Sequence, residues 1–223
     1  MTYHQGMPMK RIVYAVLFLF LTLPVYAADL PPDQVARDVT NKILPLLKAN
    51  KAEYNRDHQK LYAMVDEQVL PHFDFQAMSR TVLGRYWRQA SADQRQRFAQ
   101  EFRDLLVRTY ATALLKYNDE KIVYLPFRMD PSSRIATVRS EVRRTDGGPP
   151  VAITYSFYHT DNGWKVYDLT VEGASLVTTY QSTYADRVRK EGLDALIASL
   201  AQDNKAAATG KNASDGTKAS GPK

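Results

Sequence analysis

Residues Trp164 to Tyr180 read WKVYDLTVEGASLVTTY. Apolar residues alternate with polar ones as far as Val171, the pattern breaks at Glu172-Gly173, and a helical pattern starts almost at once. A period of two followed directly by a period near 3.6 marks a half-buried strand turning into a helix. The rest of the chain is organised around this junction.

Upstream lies VAITYSFYHT, Val151 to Thr160, joined to the strand by Asp161-Asn162-Gly163. A three-residue hairpin loop with glycine in the left-handed position suits that turn. With Thr160 opposite Trp164, Phe157 faces Tyr167, Tyr155 faces Leu169 and Ile153 faces Val171, so three cross-strand pairs make one apolar face. Thr154, Ser156, Asp168 and Thr170 form a polar face behind it. A two-residue loop is set aside because it mixes the faces. The expected product is an antiparallel sheet buried on one side.

Four strands are expected, near 121–128, 134–144, 151–160 and 164–172, forming a meander with a turn-rich connection from Thr145 to Pro150. Helices precede them. The first follows Pro31-Pro32-Asp33, with Asp33 as its cap and Pro45 bending or ending it; the second carries Leu61, Met64, Val65 and Val69 as far as Pro71; the third runs from Asp74 to Leu83. The strongest starts at Ser91, where Ser-Ala-Asp-Gln offers a capping box, and carries Phe98, Phe102, Leu105, Leu106, Ala113, Leu114 and Tyr117 in one stripe. Two more helices follow Ser175 and Gly192. Helices on either side of a four-stranded antiparallel sheet with one apolar face define an α+β domain, with helices layered on that face.

The two ends have other characters. Lys10-Arg11, the apolar run Ile12 to Leu23, Pro24 and the small-residue box ending at Ala27 match a secretory signal peptide over residues 1–27. The run is about twelve residues, short of the roughly 20 a membrane-spanning helix needs. Residues 204–223 hold no aromatic or branched aliphatic side chain and are expected to form a disordered tail. Between them, 28–203 is a normal size for one domain. The absence of cysteine rules out disulfides, a lipid-modified cleavage site and thiolate chemistry. The formal charge of +6 falls by two once Lys10 and Arg11 leave with the leader, a balance that favours anionic headgroups or acidic partners. Export argues against nucleic acid.

Catalytic candidates are sparse. His58, His72 and His159 sit on different elements with no helical spacing between them, so neither a metal site nor a catalytic set is expected. Asp168 is the one acid inside an apolar strand; a carboxylate beside tyrosines can act as a base, but here it belongs to the polar face and is expected to accept structural hydrogen bonds. Glu172 is assigned to the strand-to-helix corner. Arg85, Tyr86, Trp87 and Arg88 form a cationic and aromatic cluster able to hold a phosphate, or else an ordinary solvated loop.

The segment WKVYDLTVEGASLVTTYQSTY resembles the signature of the toluene-tolerance or MlaC family, periplasmic phospholipid carriers of Gram-negative bacteria. The likeness continues through VDEQVLPHFDFQAMSRTVLGRYW, SADQRQRFAQEFRDLLVRTYATAL and GGPPVAITY. The arrangement is also similar to the cone-like NTF2 fold, which encloses a hydrophobic cavity. The resemblance implies a periplasmic carrier, not an enzyme, with phospholipid as cargo rather than a cofactor. Its partners would be an outer-membrane lipoprotein and porin complex and an inner-membrane ABC transporter bearing an MCE-domain protein, with no stable membrane insertion. Fourteen tyrosines, apolar walls with polar tips, suit a cavity mouth. The expected lining is Phe102, Leu106, Tyr110 and Leu114 on the long helix; Ile153, Tyr155, Phe157, Leu169 and Val171 on the sheet; and Leu176, Val177 and Tyr180 beyond it. Arg85, Tyr86, Trp87 and Arg88 would form the headgroup rim.

Overall fold

The structure is a computed structural model that describes residues 29–208. The expected signal peptide and most of the expected tail lie outside the described residues.

Helix α1 spans Pro32–Arg56, with Pro32 in its first turn. Asp33 is not its cap: it lies inside the first turn, where a carboxylate complements the helix dipole, and sits 3.7 Å from Arg37. The helix also passes Pro45, an exposed residue, without ending. Helix α2 (His58–Gln68) is capped by Asp57 and α3 (Phe75–Leu83) by Asp74. A short α4, Arg85–Gln89, stands where a loop was one of the two readings. Helix α5 (Ala92–Ala111) opens on the complete Ser91/Gln94 capping box and runs on as a 3-10 turn over Thr112–Lys116.

The sheet is β1 (Lys121–Tyr124), β2 (Ile135–Arg143), β3 (Val151–Thr160), β4 (Gly163–Val171) and β5 (Ala174–Ser175), an antiparallel meander in chain order. It has five strands rather than four because the chain past Gly173 pairs briefly with the end of β4 before α6 (Leu176–Glu191) and α7 (Leu193–Ala208). Helix α7 outlasts the expected domain end at 203: Asn204 is buried and donates to the Glu101 carbonyl at 3.0 Å.

The β3–β4 register is as expected over its far half, where Ile153 faces Val171, Tyr155 faces Leu169 and Ser156 faces Asp168. Near the turn it shifts by one, so Phe157 faces Val166 and Thr160 faces Gly163, leaving two residues in the loop. The excluded two-residue connection therefore occurs without mixing the faces, because a bulge at Tyr167 absorbs the extra residue. Tyr167 meets Tyr158 edge-on rather than pairing with Phe157. Gly163 has φ +81°, as the turn requires.

Three hydrophobic clusters hold the domain. Phe98, Phe102, Tyr180, Tyr184 and Leu196 centre an all-helical core drawn from α3 to α7. Val35 and Ala36 of α1 cover Ala136, Val138, Phe157, Trp164 and Val166 on the sheet. Leu47, Tyr54, Leu61, Val65, Val107 and Ala111 join α1, α2 and α5. Phe73 packs against both the first and the second.

Candidate lipid slot on the sheet face

The apolar sheet face is covered unevenly. At the hairpin end Phe157 is 1% exposed and Val166 2%, sealed by α1. At the far end Ile153, Tyr155, Leu169 and Val171 share that face but are only half-buried. The helical clusters have similar margins: Tyr110 is half-buried against the all-helical core, and Leu70 and Leu114 against the third cluster.

The expected lining therefore divides. Phe102, Leu106, Val177 and Tyr180 are committed to the all-helical core, where the Phe102 and Tyr180 rings meet edge-on at 5.2 Å. Leu176 is buried at the start of α6, and Phe157 is consumed beneath α1. Tyr110, Leu114, Ile153, Tyr155, Leu169 and Val171 keep partly accessible apolar surface. Amphipathic periodicity marks all twelve alike, because it reports burial and not which neighbour does the burying.

Two hollows lie among the described residues, and of the expected lining only Leu114 borders either of them. One, about 330 Å³, lies between Phe73, Phe75, Thr160 and Lys165; the other, about 110 Å³, is bounded by Leu47, Lys48, Lys51, Leu114 and Tyr117.

The basic cluster is placed elsewhere. Trp87 is buried in the all-helical core, its carbonyl accepting Arg95 Nε at 2.9 Å in the first turns of α5. Arg85 donates to the Tyr86 hydroxyl at 2.9 Å, and Arg88 is exposed. Tyr110 lies fifteen residues beyond Arg95 on the same helix, about 22 Å along the axis at 1.5 Å per residue. The cluster therefore lies at the opposite end of α5 from Tyr110.

Asp168 does what its polar-face position implies. It is 8% exposed and accepts the Ser175 hydroxyl at 2.7 Å and the Val177 amide at 3.2 Å, fastening β4 to the start of α6. Glu172 turns the corner with φ +50°. Burial raises the pKa of the Tyr124, Tyr155, Tyr180 and Tyr184 phenols, which keeps each a neutral hydrogen-bond donor. Among the described residues no three His, Asp or Glu side chains gather as metal ligands, and no helix is long and apolar enough to cross a membrane.

An α+β domain with one sheet face half sealed and half open is the class that these observations define. Residues 37–202 match the family model described as MlaC protein, and the chain belongs to the MlaC family. It is 25% identical over 193 residues to the intermembrane phospholipid transport system binding protein MlaC of Haemophilus influenzae, covering 86% of this chain and 90% of that one. It is 29% identical over 187 residues to toluene tolerance protein ttg2D of Pseudomonas putida, covering 83% and 85%. A solved structure of the phospholipid-binding protein from Ralstonia solanacearum in complex with a phospholipid superimposes with a TM-score of 0.73 at 32% identity, covering 79% of this chain and 98% of that one.

Proposed function

We propose that the chain is a periplasmic phospholipid carrier whose acyl chains lie against the open half of the sheet face. The observation that carries this is the contrast along one face: Phe157 and Val166 are sealed, while Ile153, Tyr155, Leu169 and Val171 on the same face are not. The likeness to the Ralstonia protein, named as phospholipid-binding, supports the same reading.

A diacyl lipid carries roughly 30 methylenes, and at about 0.8 kcal/mol each their exposure to water costs on the order of 24 kcal/mol, so free diffusion between membranes is negligible. A carrier must offer burial close to that of a bilayer so that loading and delivery are both feasible. Non-directional contact with aliphatic and aromatic walls does this and tolerates different chain lengths. The three clusters pack as separate units joined by few residues, Phe73 among them. Chains enter along the half-buried margin of the sheet at Ile153, Leu169 and Val171, while the cores stay intact. The headgroup remains at the mouth in water and is not strongly selected.

In this reading the protein is not an enzyme: both Asp168 oxygens are already engaged by Ser175 and Val177. It takes lipid between an outer-membrane lipoprotein and porin complex and an inner-membrane ABC transporter with an MCE-domain protein, and so maintains outer-membrane asymmetry. Native mass spectrometry of the exported protein, followed by denaturing lipid extraction, tests the proposal. Stoichiometric phospholipid is expected; a bare polypeptide mass that also refuses added phospholipid overturns it.

A further inference from the structure

The basic cluster around Trp87 has no part in the slot. Between Asp74 and Asp93 the chain holds Arg80, Arg85 and Arg88 and no carboxylate, and Arg95 follows in the first turn of α5. The fold gathers these arginines at the corner between α3 and α4, where Gly84, with φ +51°, joins the two helices. The Arg80 and Arg95 guanidinium groups lie 6.0 and 5.4 Å from the Trp87 ring centroid, and that of Arg85 lies 4.9 Å from the Tyr86 centroid. Arg95 also donates to the carbonyls of Trp87 and Arg88.

What sets this corner apart is its lack of acidic partners. Arg97, Arg103, Arg144, Arg187 and Arg189 each meet a carboxylate. Among the described residues Arg80, Arg85, Arg88 and Arg95 meet rings and oxygens that carry no charge, and no carboxylate. The flanking acids are already engaged: Asp74 caps α3 and accepts from Tyr158, and Asp93 pairs with Arg97. Across the corner α6 sends the neutral Gln181, whose amide donates to the Thr81 carbonyl at 2.9 Å. Aromatic faces and carbonyls orient guanidinium groups without neutralising them, so the patch keeps its full positive charge. Arg80, Arg85 and Arg88 are exposed.

We propose that this corner is a docking face for an anionic phospholipid bilayer, held at the headgroup plane without insertion. The occupant follows from what surrounds the charge. A tight protein interface is anchored by large aromatic or apolar side chains fitted into pockets. Here Trp87 is buried in the core and Tyr86 is half-buried under Arg85. The large exposed apolar residues, Leu30 and Ile135, belong to other parts of the chain. Cations on a polar surface suit a plane of mobile phosphates, which asks for charge and not for a matched shape. The inference goes beyond the carrier reading. None of these arginines belongs to the half-buried margin of the slot, so docking and cargo binding can be tested apart.

The test is flotation of the full exported protein with vesicles of phosphatidylcholine alone and of phosphatidylcholine mixed with phosphatidylglycerol in equal parts. Binding to the mixed vesicles only, reversed by raised salt, is expected. Each arginine contributes about fivefold to partitioning, so Arg85→Ala with Arg88→Ala is expected to lower it about 25-fold while the bound cargo is unchanged. Lysine at both positions keeps the charge and retains docking. Lys121→Ala with Arg139→Ala removes two exposed cations from the sheet and leaves docking intact. No binding to the mixed vesicles, or equal binding to both kinds, overturns the proposal. Loss of docking in the lysine variant also overturns it and assigns the corner to a shaped acidic site on a protein. An equal loss in the Lys121 and Arg139 variant overturns it as well, by reducing the effect to net charge.

Discussion

Asp168 and Ser175 are seven residues apart in sequence and joined by a 2.7 Å hydrogen bond across the turn from β4 into α6. The Val177 amide completes the contact at 3.2 Å, so one carboxylate satisfies a donor at the helix start and ties the sheet to the helical core.

That arrangement predicts a structural phenotype. Asp168→Ala leaves two donors without their acceptor and is expected to cost about 2–3 kcal/mol in denaturant unfolding. Asp168→Asn keeps an acceptor oxygen, loses roughly 1 kcal/mol, and carries phospholipid normally. A well-folded Asp168→Asn protein that has lost function with its lipid occupancy intact would favour acid–base chemistry at this residue.

Core and slot should respond in opposite ways to substitution. Phe102 is fully buried among aromatic rings, and Phe102→Ala is expected to destabilise by about 3–5 kcal/mol. Val171→Trp on the open face fills space meant for hydrocarbon, so bound lipid falls while the helical circular dichroism stays unchanged. Undiminished lipid in Val171→Trp would place the chains elsewhere.

Replacing Arg85 and Arg88 together by alanine is expected to leave phospholipid occupancy unchanged, because the cluster lies at the opposite end of α5 from Tyr110. Lipid extraction from the purified variant checks this. A large loss would restore the cluster as a headgroup clamp.

His72 adds a pH dependence. Burial first, then Lys165 and Lys42, lower its pKa. The unfolded chain therefore takes up the proton first as pH falls. The stability contributed by neutral His72 is complete above the unfolded value of about 6.5 and declines as pH drops through it toward the lower folded value. Melting temperatures between pH 7 and 5 should fall more steeply for the unmodified protein than for His72→Gln; parallel curves would contradict this.

The hairpin around Asp161-Asn162-Gly163 was legible because alternation and turn chemistry agree there, and the Ser91 capping box because two side chains satisfy each other at fixed spacing. The bulge at Tyr167 was not, since one inserted residue leaves the alternation on either side intact. Asp33 offered a plausible cap, yet Pro32 fits the first turn and moves the start of α1 ahead of it. Asn204 looked like tail because its burial depends on Glu101, more than a hundred residues away. The lining was half legible for a related reason: Phe102 and Leu169 carry the same local pattern, and only tertiary packing makes one core and the other margin.

Photo-crosslinking with a phospholipid that bears a diazirine near the end of one acyl chain, followed by peptide mapping, asks directly where the hydrocarbon lies. Labels concentrated within Val151–Thr160 and Gly163–Val171 are the expected result. Labels confined to the Arg85–Gln89 helix or scattered over the exposed surface would contradict the sheet-face slot.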